Sequence, residues 1–507
     1  MSKSHVVEHA ISGIQRSRIV KDSLRNTRDV RKTMGRAISA AIYLVGSSVL
    51  INYFFSNWIY DDPFITYRYA ANLQHGLGFV YNPNERVLST TTPLFTILLA
   101  LFGNLWTDLP HLARMIGAFS LAWGGIFLWD LAYTWKSPLV GWAGLLLYPT
   151  FSLLLGTLGS EIPLYLAFCL GAFAFYARKS YSLTAICVAL AVLTRPDGIL
   201  VAFILVAHYC VWIRRPVPWL ALVLFFGLTI PWFVFAWIYF GSPLPVTLAV
   251  KQRQGMMAIS QRFAPGLLSM LGWYAWWPYL AEAGLSVAGM IFMFRRARHW
   301  TLFLAWTVLY FLMYSALGVS GYFWYYAPLV PGFIVVLGLG ISNISERLIS
   351  NRTSFFYITT ITLYLVLVAA QVAHLQQMQQ HPYQRLSINN RLIMYQVVGN
   401  WLKDHTPPNA SVGTLEGGII GFYAQRRMID FSGLIQPEVS AQFTSYSNYE
   451  AAALWAIEHY RPDYLLIFEN EFPQIERWYA SQHCSVIQRF PGKSYAYSSD
   501  MNVYLCK

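Results

Sequence analysis

The chain has 507 residues, 56% hydrophobic and only 12% charged, with 36 Lys and Arg against 23 Asp and Glu for a formal net charge of +13. That charged fraction is about half the usual one, and the apolar residues fall in runs of spanning length, which excludes a string of water-soluble domains. The basic excess lies between the apolar runs, as the positive-inside bias of a membrane protein requires, and not as a nucleic-acid-binding patch.

Residues 1–36 read as a basic cytosolic arm carrying Arg16, Arg18, Lys21, Arg25, Arg28, Arg31, Lys32 and Arg36. The arm is too long and too basic for a cleaved signal peptide, so the first apolar span, 37–56, is retained. Further apolar segments lie at 93–107, 111–134, 138–156, 161–177, 181–194, 198–213, 217–240, 279–294, 300–317, 324–343 and 354–374. Basic anchors at Lys136, Arg178–Lys179, Arg214–Arg215, Arg295–Arg296–Arg298 and Arg347–Arg352 mark the cytosolic side. All segments cross consistently if 93–107 lies at the interface as a juxtamembrane helix, which leaves about eleven spans in a domain over 37–375. The first outer loop is then 58–110.

From residue 376 the pattern changes. A helix at 389–404, a strand at 412–415, the turn Glu416–Gly417–Gly418, a short helix, a strand at 428–431, a helix at 449–459 and a strand at 464–468 read as a small α/β domain, 376–507. An odd number of spans places it outside the cytosol, on a multi-pass plasma-membrane protein.

The same sidedness gathers the reactive residue types on the outer face. Asp61 and Asp62 follow the first span directly, where charge beside lipid is costly and usually functional. One carboxylate can cap the helix from Pro63 while the other faces a cleft, and like charge between neighbours raises a pKa towards that of a general base. Arg68 and Asn72 share a polar helix face; Arg68 suits a carboxylate or a phosphate, or is an ordinary ion-pair partner. Glu161 either caps a helix or serves as a second acid, and Arg195 and Asp197 either pair with each other or face the same cleft. Lys251, Arg253 and Arg262 suit a lipid-linked phosphate or anionic headgroups. The aromatic runs Trp273–Tyr279 and Tyr322–Tyr326, Tyr325 among them, suit an interfacial belt or stacking on a sugar.

Cys169, Cys187 and Cys210 lie in apolar runs as inert core residues. Cys484 and Cys506 border two short apolar stretches that read as neighbouring antiparallel strands, and they are either a disulfide, in an oxidising compartment and with Cα atoms within about 7 Å, or two unpaired thiols. No spacing suggests a metal site.

The segment DDPFITYRYAANLQHGLGFVYNPNERV, from Asp61, followed by TTTPLF, resembles the first outer loop of polyprenyl-phosphate-sugar-dependent glycosyltransferases of the GT-C fold. It is most like mycobacterial terminal arabinofuranosyltransferases and related bacterial enzymes, and more distantly like lipid A aminoarabinose transferases and protein O-mannosyltransferases. GSEIPLY from Gly159, TRPDGIL from Thr194, GSPLPVTLAVK from Gly241 and GGIIGFYAQRRMIDFSGL from Gly417 extend the likeness to Leu434. It departs at Leu88–Ser89–Thr90, where a glycine and an aromatic residue are usual. The resemblance implies two juxtamembrane helices in the first outer loop, Asp61 as catalytic base, Asp62 as its acidic neighbour and Glu161 as the second-loop acid. It further implies a polyprenyl-phosphate-linked sugar as donor, a glycan, lipid or protein hydroxyl as acceptor, and inversion. Lys251, Arg68 or Arg195 would steady the leaving phosphate, so no metal or other cofactor is required. A lipid-linked saccharide flippase or transporter, a ligase using pyrophosphate-linked oligosaccharide, and a non-catalytic relative are the rival readings.

Overall fold

The computed structural model describes residues 34–58, 60–106, 108–273, 277–348, 353–380, 390–444, 448–495 and 497–507. The basic arm up to Lys32 and the anchor at Arg352 lie outside them.

Proline punctuates the helices. Helices Pro63–Gln74, Pro93–Gly103, Leu109–Thr134, Pro138–Leu146 and Ile162–Ala177 each carry Pro in their first two positions, where its missing N–H costs nothing. Among the described residues, six helices are long and apolar enough to cross a membrane: Met34–Phe54, Leu109–Thr134, Pro196–Ile213, Trp219–Phe240, Trp300–Leu317 and Phe323–Glu346. Ile162–Ala177, Tyr181–Thr194 and Ile358–Ala373 are apolar but shorter. The expected span at 138–156 is broken: helix Pro138–Leu146 ends in a turn before Pro149, and only Ser152–Leu155 is helical beyond it. Proline at that place blocks continuation of the helix behind it. Helix Pro93–Gly103 has 11 residues and so spans roughly 16 Å, about half of a hydrocarbon core. It is too short to cross.

Among the described residues, two of three cores position the site; the third packs Ile429, Phe431, Leu465 and Ile467 with Ala453 and Ile457 inside the α/β domain. The membrane core packs Trp300, Phe303 and Trp306 of helix Trp300–Leu317 with Tyr165 and Phe173 of helix Ile162–Ala177. The second core is shared: Phe64, Tyr69 and Tyr81 of the first outer loop pack with Met394, Ile419, Ile420 and Met428 of the α/β domain. The loop after the first span and the α/β domain therefore fold as one layer beside the membrane helices.

That domain has strands β1 (Ser411–Thr414), β2 (Arg427–Asp430), β3 (Tyr464–Phe468), β4 (Cys484–Phe490) and β5 (Met501–Cys506), in the order β2-β1-β3-β5-β4. β1 is parallel to β2 and β3, whereas β5 runs antiparallel to β3 and β4. Because β2 and β3 flank β1 on opposite sides, the chain reverses direction at the carboxyl end of β1. Such switch points leave a crevice in open α/β sheets. Here Glu416–Gly417–Gly418 form the turn that leaves that end of β1. Cys484 pairs directly with Cys506 across the hairpin, 4.1 Å apart at Cα, and the two are disulfide-bonded.

Candidate active site

The first outer loop and the α/β domain are stitched together by backbone contacts. Arg68 Nε donates to the Tyr81 carbonyl at 2.9 Å, and its two terminal nitrogens donate to the carbonyls of Gly421 and Arg426. Asn72 reaches the same Tyr81 carbonyl at 2.8 Å. The Tyr81 hydroxyl donates to the Gly417 carbonyl, and Asn82 brackets Met428 with bonds of 2.9 and 3.0 Å. Arg68 is thus buried in a clasp and is not on the cavity wall. This corrects its expected role at a donor phosphate: three carbonyls take up its donors. Arg253 is likewise displaced from that role, since Nη1 donates to Ser440 Oγ at 2.8 Å.

Between this layer and the membrane helices lies a cavity of about 380 Å³, lined by Asp62, Glu161, Arg195, Lys251 and Tyr325 among others. On its membrane side, Pro196 ends helix Tyr181–Thr194 and forces the preceding Arg195 into an extended conformation, φ −152° and ψ 136°. The guanidinium then turns in. It meets Glu161 Oε1 at 2.8 Å, Asp197 Oδ2 at 3.0 Å and the Tyr314 hydroxyl at 2.9 Å. Tyr314 in turn donates to Asp197 at 2.6 Å. Gly159, at φ +90°, sets the bend before Glu161, a conformation that favours glycine. Glu161 sits at the start of its helix without a side-chain cap bond. Glu161, Arg195 and Asp197 thus form one closed network.

The outer side is less closed. Lys251 stands on helix Thr247–Met256, whose start is tied to the first outer loop by Val246 N to the Leu88 carbonyl at 3.1 Å. The Lys251 carbonyl accepts from Ser320 N, also at 3.1 Å. Its ammonium is 3.7 Å from Asp62 Oδ2, with side chains 4% and 35% exposed respectively, and 4.1 Å from the centre of the Tyr322 ring. Burial pulls its pKa down, but the Asp62 charge together with Tyr325, Tyr449 and Asp430 outweighs this and leaves it raised. Lys251 is therefore a charged, buried ammonium held by one loose ion pair and an aromatic face. Asp62 occupies the cap position of its helix yet makes no cap bond.

Asp61 points the other way, towards the α/β domain. Its carboxylate accepts from Gly418 N at 3.1 Å and Ile419 N at 2.7 Å. Burial pushes its pKa up to about 7; the Ile419 amide opposes the rise and the Asp62 charge adds to it. Glu416, at the same turn, is raised well above the usual carboxylate range by burial and then by Asp61.

Of the residues read from the sequence as a site, Asp62, Glu161, Arg195, Lys251 and Tyr325 meet at the cavity; Asp61 adjoins Asp62 in the chain but turns its carboxylate to the Gly418–Ile419 turn, and Arg68 and Arg253 are not on the wall. Sequence reasoning missed a hydroxyl cluster on the wall. Thr66, Thr90 and Thr92 lie within 3.0–3.3 Å of one another, and the buried Ser89 Oγ beside them has no protein partner. The threonine run before Pro93 was its one available signal. Glu416 was legible only as part of a turn. Among the described residues, no group of three or more His, Cys, Asp or Glu is placed to hold a metal ion.

Residues 376–504 match a family model described as a domain of unknown function, DUF8728. A search of the curated proteins found no match. Among solved structures, the chain is similar to ArnT from Cupriavidus metallidurans bound to undecaprenyl phosphate, with a TM-score of 0.55 and 13% identity over 92% of this chain and 97% of that one. It is also similar to the apo form of the Archaeoglobus fulgidus oligosaccharyltransferase, with a TM-score of 0.51 and 15% identity over 87% of this chain and 69% of that one. The chain is a multi-pass membrane protein with the GT-C fold, carrying a small C-terminal α/β domain. At these identities the likeness defines the fold, and the chemistry rests on the site itself.

Proposed function

We propose that the protein is an inverting glycosyltransferase that moves a sugar from a polyprenyl-monophosphate donor to an acceptor hydroxyl at the outer face of the membrane. The observation that carries this reading is Lys251, an ammonium buried on the cavity wall with a single loose carboxylate partner. A buried cation so placed suits an anion that arrives with the substrate. The surroundings suit an amphiphile. Thr92 and Arg195 line the first cavity, while Pro93 and Leu193, one and two residues away along the chain, line a second, apolar cavity of about 550 Å³ with Trp232 and Phe235. A phosphate at Lys251 would leave a prenyl chain beside apolar walls. The ArnT structure was solved with undecaprenyl phosphate, which supports the same class of donor.

In this mechanism Asp61 takes the proton of the acceptor hydroxyl. The oxygen attacks the anomeric carbon, the bond from that carbon to the phosphate oxygen breaks, and its electron pair leaves on the polyprenyl phosphate. Lys251 stabilises the charge that develops there. Asp62 holds Lys251 at the wall, and Ser89 and Thr66 belong to the residues lining the space a sugar would fill. A single displacement inverts the anomeric centre.

The test is a donor screen with purified protein in detergent or nanodiscs. Polyprenyl-monophosphate sugars should be consumed only when an acceptor saccharide, lipid or peptide is present. Consumption confined to pyrophosphate-linked donors would point to the ligase reading, and movement of intact donor between leaflets to a transporter; either would overturn the proposal.

A further inference from the structure

The turn that follows β1 touches Asp61 with its backbone, and the fit leaves no room for a side chain. Gly418 N and Ile419 N each donate to a different oxygen of the Asp61 carboxylate, at 3.1 and 2.7 Å. A Cβ on Gly418 would run into the Asp61 carbonyl and carboxylate. Gly418 has φ −71°, so its backbone does not demand glycine; the crowding against Asp61 does. The next glycine differs, because a Cβ on Gly417 would meet only the end of the Ile435 side chain at 3.1 Å and Asp430 at 3.9 Å. The turn itself is held in place by the Tyr81 hydroxyl on the Gly417 carbonyl and by the Arg68 clasp one helical turn further on.

We propose that Gly418 is a positioning residue: through it the α/β domain grips the Asp61 carboxylate by two amides and fixes the direction in which that group meets the acceptor. The inference rests on the reading of Asp61 as base. It gives the C-terminal domain a part in the reaction step beyond acceptor contact, since the base is oriented by residues some 357 positions along the chain. Two donated N–H bonds favour the charged carboxylate, so they also keep more of Asp61 ready to accept a proton near neutral pH. The free lone pairs of both oxygens remain for the acceptor hydroxyl.

The experiment compares Gly418→Ala, Gly417→Ala, Tyr81→Phe and Asp61→Asn in the full chain, assayed with a polyprenyl-monophosphate sugar and acceptor across pH. Gly418→Ala should lower kcat by roughly 10–100-fold, the usual cost of a small misplacement of a reacting group, with donor KM unchanged. The acid limb of its kcat profile should move to higher pH, because the amides that favour the charged form are displaced. Gly417→Ala should have a smaller effect. Tyr81→Phe removes one hydroxyl from behind the turn and should move the acid limb the same way by less; it serves as the deciding variant if Gly418→Ala does not fold. An inactive Asp61→Asn with Gly418→Ala and Tyr81→Phe both at wild-type kcat and pH profile would overturn the positioning role and leave the base assignment standing. An active Asp61→Asn would overturn the base assignment, and the positioning role with it.

Discussion

The two walls of the cavity carry similar charges and treat them differently. On the membrane side, Arg195 is saturated by Glu161, Asp197 and Tyr314 at 2.8–3.0 Å. On the outer side, Lys251 has one carboxylate partner, at 3.7 Å. A closed network in a low-dielectric site is expensive to break and has little left to offer a substrate. A loosely held charge has the reverse properties. The contrast assigns structure to the membrane wall and chemistry to the outer one, although the sequence presents both as acidic and basic residues beside spans.

The largest expected effect is at Asp61, the chain neighbour of Asp62 on the outer wall. Asp61→Asn should lower turnover by roughly 10²–10⁴-fold, the usual contribution of a general base, with melting temperature and donor binding retained. If Asp61→Asn turns over normally and Asp62→Asn does not, the base lies one residue on.

The next pair separates the walls. Lys251→Met should lower kcat by about 10²–10³-fold, as loss of a charge-stabilising group does, with little change in melting, because Asp62 is exposed enough to stay solvated. Arg195→Met should instead destabilise the fold by about 3–5 kcal/mol by leaving buried carboxylates unpaired, read by thermal denaturation. The reverse pattern would break the comparison.

Within the α/β domain, reducing the Cys484–Cys506 bond should lower its stability by about 3 kcal/mol in the chain-entropy model. Denaturation with and without reductant reads this, and coincident curves would contradict it.

The pH dependence has a definite sign. Asp61 must be ionised to accept a proton, and its pKa is raised to about 7. The rate should therefore fall about tenfold per pH unit below that value and level off above it. A profile flat down to pH 5 would remove Asp61 from the role. The smallest effect is expected at Arg253→Ala, which should cost about 1 kcal/mol of interface stability with donor KM unchanged; a raised donor KM would return Arg253 to the donor site.

Local pattern carried much of the fold. Proline starts, apolar runs and alternating helix and strand signals placed most of the elements, and chain length alone keeps Pro93–Gly103 from crossing. The break before Pro149 was there to be read in the proline itself. Which charges are free was not legible, since that depends on partners far along the chain. Arg68 and Asn72 looked like a polar face open to ligand, yet two of the three carbonyls that satisfy Arg68 belong to residues 353 and 358 positions away. Lys251 and Arg253 sit two residues apart on one helix and meet opposite fates. Glu416 gained its setting from sheet topology, which no local window contains.

The central claim is a single displacement driven by Asp61 at the outer face. Its most direct test is the anomeric configuration of the product, read by NMR after transfer from a donor of known configuration. The account predicts inversion by the native protein and no product above background from Asp61→Asn. Retention of configuration, or inverted product formed at the native rate by Asp61→Asn, would contradict it.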